Sequence, residues 1–333
     1  MRYVPLLLIV VLLAASAVLP FIAYRPSHHW SIVVLLLIAT IGIWDFLQRR
    51  HTLLRNYPLI GHFRWLAEAI RPQVRQYFVE SDTDGRPFDR NERSVVYQRA
   101  KKTVGVVPFG TELDVTAEGY EWIGASLGAP AHEPQSSPRV SVGGPGCSQP
   151  YASSVFNISA MSFGAIGQAA IRALNKGAAM GEFAHDTGEG GISAYHLEFG
   201  GDLIWEIGTG YFGCRDHKGR FDREQFADKA AQSQVKMIEI KLSQGAKPGH
   251  GGVLPAAKVT SEIARARGVL EHRDCLSPDH HSAFTTPREL IHFITELREL
   301  SGGKPVGIKL CIGHRWEFLA ICKAIVAEGV GPD

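Results

Sequence analysis

The segment that decides the fold is Ile238-Glu239-Ile240-Lys241-Leu242-Ser243-Gln244-Gly245-Ala246-Lys247-Pro248-Gly249-His250-Gly251-Gly252. It begins as a short apolar run, which is typical of a buried strand, and continues as a polar loop rich in glycine. A strand, a polar loop and then a helix is the order in which α/β enzymes present chemistry at the carboxyl end of a strand. Glycine lets backbone N–H groups approach a ligand, and Lys247 offers a positive charge to a carboxylate or phosphate. Surface loops share this composition, so the prediction of a site depends on similar stretches elsewhere.

Further stretches with this pattern follow residue 150. A strand is predicted over 154–159, with a loop over 161–165 and a helix over 167–180 behind it. Another polar loop covers 187–191. Repeated β-loop-α units predict a parallel sheet, and polar loops at the strand ends favour a (β/α)₈ barrel of the TIM type. A doubly wound sheet is the alternative, although the first loop does not contain the GxGxxG pattern.

The remaining elements of this region are predicted from their periodicity. Residues 192–221 are expected to form a long connector with short extra strands and a lid. The predicted strands are at 238–242 and 306–310, and the predicted helices are at 221–234, 258–267, 287–300 and 315–328.

The composition argues against several classes of function. The net charge is +2, and no Lys/Arg run forms a basic stripe, so no nucleic-acid partner is predicted. The five cysteines are widely spaced and include no CxxC pair, which supports neither a zinc site nor a disulfide framework. We expect reduced thiols.

Two apolar runs at the N-terminus, over 4–23 and 30–47, predict a transmembrane hairpin, because each is close to the ~20 residues that span a bilayer. The short connector contains only Arg25. Three arginines follow the second run: Arg49, Arg50 and Arg55. The positive-inside rule therefore predicts a multi-pass protein of the inner (cytoplasmic) membrane, in contact with lipid, with a cytoplasmic catalytic body. A signal peptide and a pair of buried core helices are the alternatives.

Three parts are predicted along the chain. They are the hairpin over 1–48, a cytosolic connecting region over 49–152 and a catalytic body over 153–333. The connecting region contains a predicted helix over 66–78 that is interrupted at Pro72. A complete barrel needs about 250 residues, so we expect the chain to be truncated at its C-terminus or to be part of a longer protein.

Several side chains in the strand-end loops have chemistry that a site would use. Ser162 can hydrogen-bond the edge of a planar heterocycle, and Glu189 can bind an ammonium group or transfer a proton. Gln244 and Lys247 can hold a carboxylate. Lys309 lies within a strand, where an unpaired charge is costly, so we expect it to meet a ligand anion or a carboxylate. A salt bridge or an exposed side chain is the structural alternative for each residue taken alone.

Three other residues are less specific. Arg267 ends a predicted helix, where a solvated cation that complements the helix dipole is the simplest interpretation. His280 and His281 can contact a substrate. They have no cysteine or carboxylate at ligand spacing, so no metal site is predicted.

Five motifs together strongly resemble the FMN-binding synthase domain of glutamate synthase. The motifs are Met161-Ser162-Phe163-Gly164, Thr187-Gly188-Glu189-Gly190-Gly191, Gln244-Gly245-Ala246-Lys247-Pro248-Gly249, Ser277-Pro278 with His280-His281, and Gly307-Ile308-Lys309-Leu310. Their order and spacing resemble that family from about residue 155 onward. The N-terminal part resembles the membrane-anchored, stand-alone branch of FMN-binding glutamate synthase family proteins.

The resemblance implies an oxidoreductase of the CH–NH₂ class, a (β/α)₈ barrel that binds FMN. In that family, ammonia condenses with 2-oxoglutarate to 2-iminoglutarate, and hydride from reduced flavin then gives glutamate. By motif position, the resemblance implies catalytic roles for Glu189 and Lys247, and substrate contacts for Gln244, Lys247 and Arg267. It implies FMN contacts for Ser162, Gly164 and Lys309. It assigns an iron–sulfur cluster only to sequence beyond the last residue given.

Two questions and two alternatives stay open at this point. The electron donor and the source of ammonia are unknown. A flavin barrel that acts on another 2-oxo, amino or 2-hydroxy acid is one alternative, and a non-catalytic, membrane-tethered remnant is the other.

Overall fold

The computed structural model describes residues 7, 9–15, 18, 27–103, 110–128, 137–246 and 249–333. The chain divides into two compact units, Met1–Ala129 and Pro130–Asp333. The predicted domain boundaries at residues 48 and 152 stay predictions.

The described part of the first unit is helical. Its helices are α1 (Ser27–Leu47), α2 (Thr52–Asn56), α3 (Gly61–Val74) and α4 (Arg90–Ala100). Pro72 lies inside α3, and the helix continues as a π-helical turn over Arg75–Val79. The helix therefore continues through the predicted interruption, and its hydrogen bonding changes to the π type after Pro72. Asp89 and Glu92 form a capping box at the start of α4.

The prediction of a transmembrane hairpin is wrong for the part of the chain that the structure describes. No helix there combines the length and the apolar character that a membrane span requires. The predicted multi-pass inner-membrane location and the lipid contact are corrected with it. At the end of α1, Asp45 is buried and accepts hydrogen bonds from protein groups, the Leu59 N–H at 3.0 Å and the His62 ring. Most of the first predicted span lies outside the described residues.

The second unit is built around a parallel sheet with the strand order β3-β4-β5-β8. Its strands are β3 (His185–Asp186), β4 (Leu203–Ile207), β5 (Val235–Lys241) and β8 (Val306–Lys309). Two antiparallel pairs accompany it, β1 (Arg139–Val142) with β2 (Tyr151–Ser154) and β6 (Val253–Leu254) with β7 (Cys275–Leu276). The mixed α/β class with a parallel sheet is confirmed.

The helices of this unit follow the strands in the expected alternation. They are α5 (Gln168–Gly181), α6 (Ala194–Leu197), α7 (Arg223–Ala230), α8 (Ser261–Arg267), α9 (Pro287–Leu300) and α10 (Arg315–Glu328). Helices α9 and α10 have the predicted bounds. The start of α9 is well specified, because Thr286 and Glu289 form a capping box and proline occupies the first turn.

Two predictions about the strands need correction. The predicted strand over 154–159 does not form, because β2 ends at Ser154 and, among the residues after it, Ile158 makes an isolated bridge to His185. The Asn157 side chain takes the place of ladder hydrogen bonds, because it donates to Ser154 O and accepts from Ala184 N–H. The region 192–221, predicted to be a long connector with short extra strands and a lid, contains β4, which is a strand of the main sheet and lies between β3 and β5.

The two faces of the sheet differ in chemistry. The register places Glu206 opposite Glu239 and Lys241 opposite Lys309, so these four side chains share one face. The apolar residues of the opposite face pack against α7, α9 and α10. This core includes Trp205, Ile238, Ile240, Phe226, Ile291, Ile294 and Ile321.

Candidate active site

Two strand-end loops pack backbone against backbone at the carboxyl edge of the sheet. Gly188 has a φ of +62°, and a Cβ there would lie 2.6 Å from the Ser162 nitrogen. A Cβ at Gly190 would lie 3.0 Å from the Ser162 Cβ. These glycines of the 187–191 motif therefore permit close packing of the loops. The packing brings the segment with Ser162 beside the segment with Glu189.

The Glu189 side chain lies between two glycines of other loops. A Cβ at Gly252 would lie 2.9 Å from Glu189 Oε1, and a Cβ at Gly208 would lie 3.0 Å from Oε2. Lys241 Nζ lies 3.3 Å from Oε2. The carboxylate is thus confined to a slot with glycine walls and has a cation beside it. It keeps some solvent access, because its side chain is 21% exposed.

Glu189 lines a small cleft of about 50 Å³ at this edge. Its other polar lining residues include Thr209, Lys241, Gln244, His250 and Asp279. The structure therefore places Glu189 and Gln244 at the same cleft, and their predicted roles stay predictions. Lys247 lies outside the described residues, so its predicted roles stay predictions.

Lys309 meets a carboxylate partner on the charged face of the sheet. Its Nζ lies 2.5 Å from Glu206 Oε2 and 3.9 Å from Glu239 Oε1. Burial disfavours its charge, but the hydrogen bond and charge of Glu206 outweigh this effect, so the pKa of Lys309 is raised. Lys309 was expected to meet a ligand anion or a carboxylate, and in the structure Glu206 is that carboxylate.

Three carboxyl groups lie together on the sheet, of which Asp186 and Glu206 are buried and Glu239 is half-buried. One oxygen each of Asp186, Glu206 and Glu239 lie within 4.8 Å of one another. Burial raises the pKa of Asp186, and the neighbouring carboxylates raise it further. Burial likewise raises the pKa of Glu206 against the opposing effect of Lys309. With Lys241 also 3.8 Å from Glu206, the group is a network of ion pairs.

Arg267 is placed differently from Gln244. It is 5% exposed, and its Nη2 donates to the Phe163 carbonyl at 3.1 Å. Its guanidinium stacks over the Phe212 ring at 5.0 Å. It is not among the residues that line the cleft. These contacts support the loop that contains Ser162, and the predicted substrate contact of Arg267 stays a prediction.

The two histidines after residue 279 also differ. His281 is buried, and its ring contacts Tyr211 Oη at 3.0 Å and the Lys241 carbonyl at 2.8 Å. Burial lowers the pKa of His281, which suits a neutral ring that accepts from Tyr211 and donates to Lys241. His280 is exposed beside Asp279. Of the two, His281 therefore supports the end of β5, close to the cleft.

The residues that the resemblance assigned to FMN fit this cofactor in part. Lys309 has one close acceptor in Glu206 and is 36% exposed, so its ammonium group keeps donors for the electron-rich edge of a planar heterocycle. Ser162 is half-buried beside the 187–191 loop. Gly164 has a φ of +103°, and a Cβ there would meet Leu254 at 3.1 Å, so its glycine serves the packing of the loop.

Sequence reasoning missed Glu206 and Lys241. Both lie in strands, where a charge was expected only at Lys309. The signal in β4 was the alternation of buried Leu203, Trp205 and Ile207, which turns Glu206 toward the other face. The signal for Lys241 was its place two residues after Glu239, at the end of β5.

Comparisons with known proteins bear on the same region. A family model described as a conserved region in glutamate synthase matches residues 147–330. The glutamate synthase large subunit-like protein YerD of Bacillus subtilis is 34% identical over 340 residues, which cover 90% of this chain and 64% of that protein.

Two shorter matches are to proteins named as NADPH glutamate synthases. The archaeal-type glutamate synthase of Thermotoga maritima is 36% identical over 46% of this chain and 28% of its own length. The archaeal glutamate synthase of Archaeoglobus fulgidus is 33% identical over 51% of this chain and 31% of its own length. The chain therefore spans less than two thirds of each of these relatives.

Proposed function

Because the chain belongs to the glutamate synthase family, we propose that it is an FMN-dependent oxidoreductase that reductively aminates 2-oxoglutarate to glutamate through 2-iminoglutarate. The parallel sheet is proposed to be part of a (β/α)₈ barrel. The strand order β3-β4-β5-β8 is compatible with such a barrel.

The observation that carries the proposal is the slot around Glu189. Its carboxylate lies at the carboxyl edge of the sheet, between Gly208 and Gly252, and is confined by their backbones. Lys241 lies 3.3 Å from it, and Gln244 lines the same cleft. A fixed carboxylate with an amide and cations around it is suited to a substrate that carries carboxylates and gains an amino group.

Each residue of the cleft has a proposed role. Glu189 binds ammonium and moves a proton at the nitrogen as the imine forms. Gln244, with Lys247 from the same loop, holds a substrate carboxylate. Lys241 keeps Glu189 oriented. The glycine walls leave no room for side-chain atoms beside Glu189, which confines its carboxylate at the cleft.

The cofactor side of the site is proposed on the charged face of the sheet. FMN, when bound, supplies the hydride that reduces the imine. Lys309 would hold the heterocycle edge, and Ser162 would donate a hydrogen bond from the neighbouring loop. Glu206 keeps Lys309 charged for that contact.

The first experiment is a flavin titration of the full chain, followed by a turnover assay. We expect FMN to bind and to be reduced by added dithionite, and 2-oxoglutarate with ammonium to reoxidise it with formation of glutamate. Reoxidation by other 2-oxo acids but not by 2-oxoglutarate would keep a flavin enzyme and reject this substrate. A chain that folds but binds no flavin would reject the proposed function.

A further inference from the structure

Two lysines lie directly opposite each other on the charged face of the sheet. Lys241 of β5 and Lys309 of β8 are register partners, so their side chains leave the same face of neighbouring strands. Like charges in this arrangement repel, and burial increases the cost. An anion within reach of both ammonium groups offsets this repulsion.

Glu206 supplies that anion from β4, which neighbours β5 on the side away from β8. Its Oε2 lies 2.5 Å from Lys309 Nζ, and its Oε1 lies 3.8 Å from Lys241 Nζ. The two lysines thus lie near different oxygens of the same carboxylate. The side chain of Glu206 is 1% exposed, so no ligand can reach these oxygens.

We propose that Glu206 is a positioning residue that holds the ammonium groups of Lys241 and Lys309 together on the charged face of the sheet, where the pair receives anionic ligands. The ligand's identity as flavin and 2-oxo acid rests on the proposed function, but the pairing does not. Lys241 also contacts Glu189 at 3.3 Å, so one buried carboxylate joins the substrate side of the cleft to the cofactor side. The other groups that face the pair are Asp186 on β3 and Glu239 on β5.

The test measures the pKa of Lys309 directly. The full chain is reductively methylated with ¹³C, and the Lys309 signal is assigned by its loss in Lys309→Arg. In the wild type we expect titration above the ordinary value of 10.5. In Glu206→Gln we expect the pKa of Lys309 to fall by about 1–3 pH units, because its close counter-charge is lost and burial remains.

Asp202→Asn is the matched control. Asp202 immediately precedes β4 and pairs with Lys236 at 3.6 Å, at the opposite end of the strand from Glu206. This variant should leave the pKa of Lys309 unchanged. If Glu206→Gln does not fold, Glu206→Asp decides, because its shorter side chain must move away from at least one lysine and lower the same pKa. An unchanged pKa of Lys309 in a folded Glu206 variant overturns the proposal.

A second readout follows ligand binding. FMN fluorescence titration should give about tenfold to hundredfold weaker binding in Glu206→Gln than in Asp202→Asn, as expected for one disturbed charge-assisted hydrogen bond. Equal FMN affinities in the two variants would overturn the proposal that the lysine pair binds an anionic ligand. If the wild type binds no FMN, the proposed function fails, whereas the NMR comparison still decides the role of Glu206.

Discussion

Substitution of Gly252 by alanine should impair the site while leaving the fold largely intact. The added Cβ would lie 2.9 Å from Glu189 Oε1, whereas ordinary contacts begin near 3.4 Å, so the carboxylate must move by about 0.5 Å. Oε1 is the far end of a flexible side chain, so we expect a stability cost of only about 0.5–1.5 kcal/mol for an off-rotamer glutamate. The φ of Gly252 lies outside the left-handed region, so the backbone adds no strain to the alanine variant.

The expected effect on catalysis is larger. A displacement of 1 Å costs on the order of a hundredfold in rate, so half of that displacement should lower kcat/KM by about tenfold. Steady-state assays with 2-oxoglutarate and ammonium measure this loss, and urea unfolding measures the stability. Gly177→Ala is the control, because a Cβ there meets nothing within 4 Å. It lies inside α5, where alanine should stabilise the helix by about 0.5–1 kcal/mol and leave activity unchanged. A Gly252→Ala variant with wild-type kcat/KM would refute the assignment of the slot around Glu189.

Three further predictions concern single side chains. Glu189→Gln keeps the shape of the slot but removes the base, so kcat should fall by about 10²–10⁴-fold with little change in melting temperature, and wild-type turnover would contradict its role. Arg267→Leu should destabilise the fold by about 1.5–3 kcal/mol in urea unfolding, because the Phe163 carbonyl loses its charged donor; a stable variant with only a raised KM would instead support the substrate contact. Burial lowers the pKa of His185 from 6.5 to about 4, so the unfolded state binds a proton at higher pH than the folded state, and stability falls as the pH drops through this range. His185→Phe should remove about 3 kcal/mol of that loss of stability. An unchanged loss of stability at low pH in this variant would contradict the prediction.

The sequence was informative where local rules decide the structure. Helix α9 has proline in its first turn and a capping box at Thr286, and its bounds followed from these signals. The glycine-rich loops at 187–191 and 244–249 were expected at strand ends. The structure brings Glu189 and Gln244 of these loops to one cleft.

The remainder depended on pairing between distant segments. β4 is only five residues long and contains a glutamate, so its place inside the sheet follows from neighbours that are far away in sequence. The contact of Glu206 with Lys309 joins residues 103 positions apart. The membrane prediction rested on the hydropathy of two runs alone, and no described helix has the length and apolar character of a membrane span.

The alternation of faces in β5 has a consequence for the tolerance of the gene to mutation. Over 238–241, the even-numbered positions Ile238 and Ile240 pack in the core, and the odd-numbered positions Glu239 and Lys241 lie on the charged face. Substitutions at even positions should lower cellular abundance, since a lost core contact exposes the chain to proteolysis. Substitutions at odd positions should leave abundance near normal and lower specific activity. In a saturation library of these four residues, abundance and specific activity should each alternate with a period of two, and the positions that lower one should not be those that lower the other.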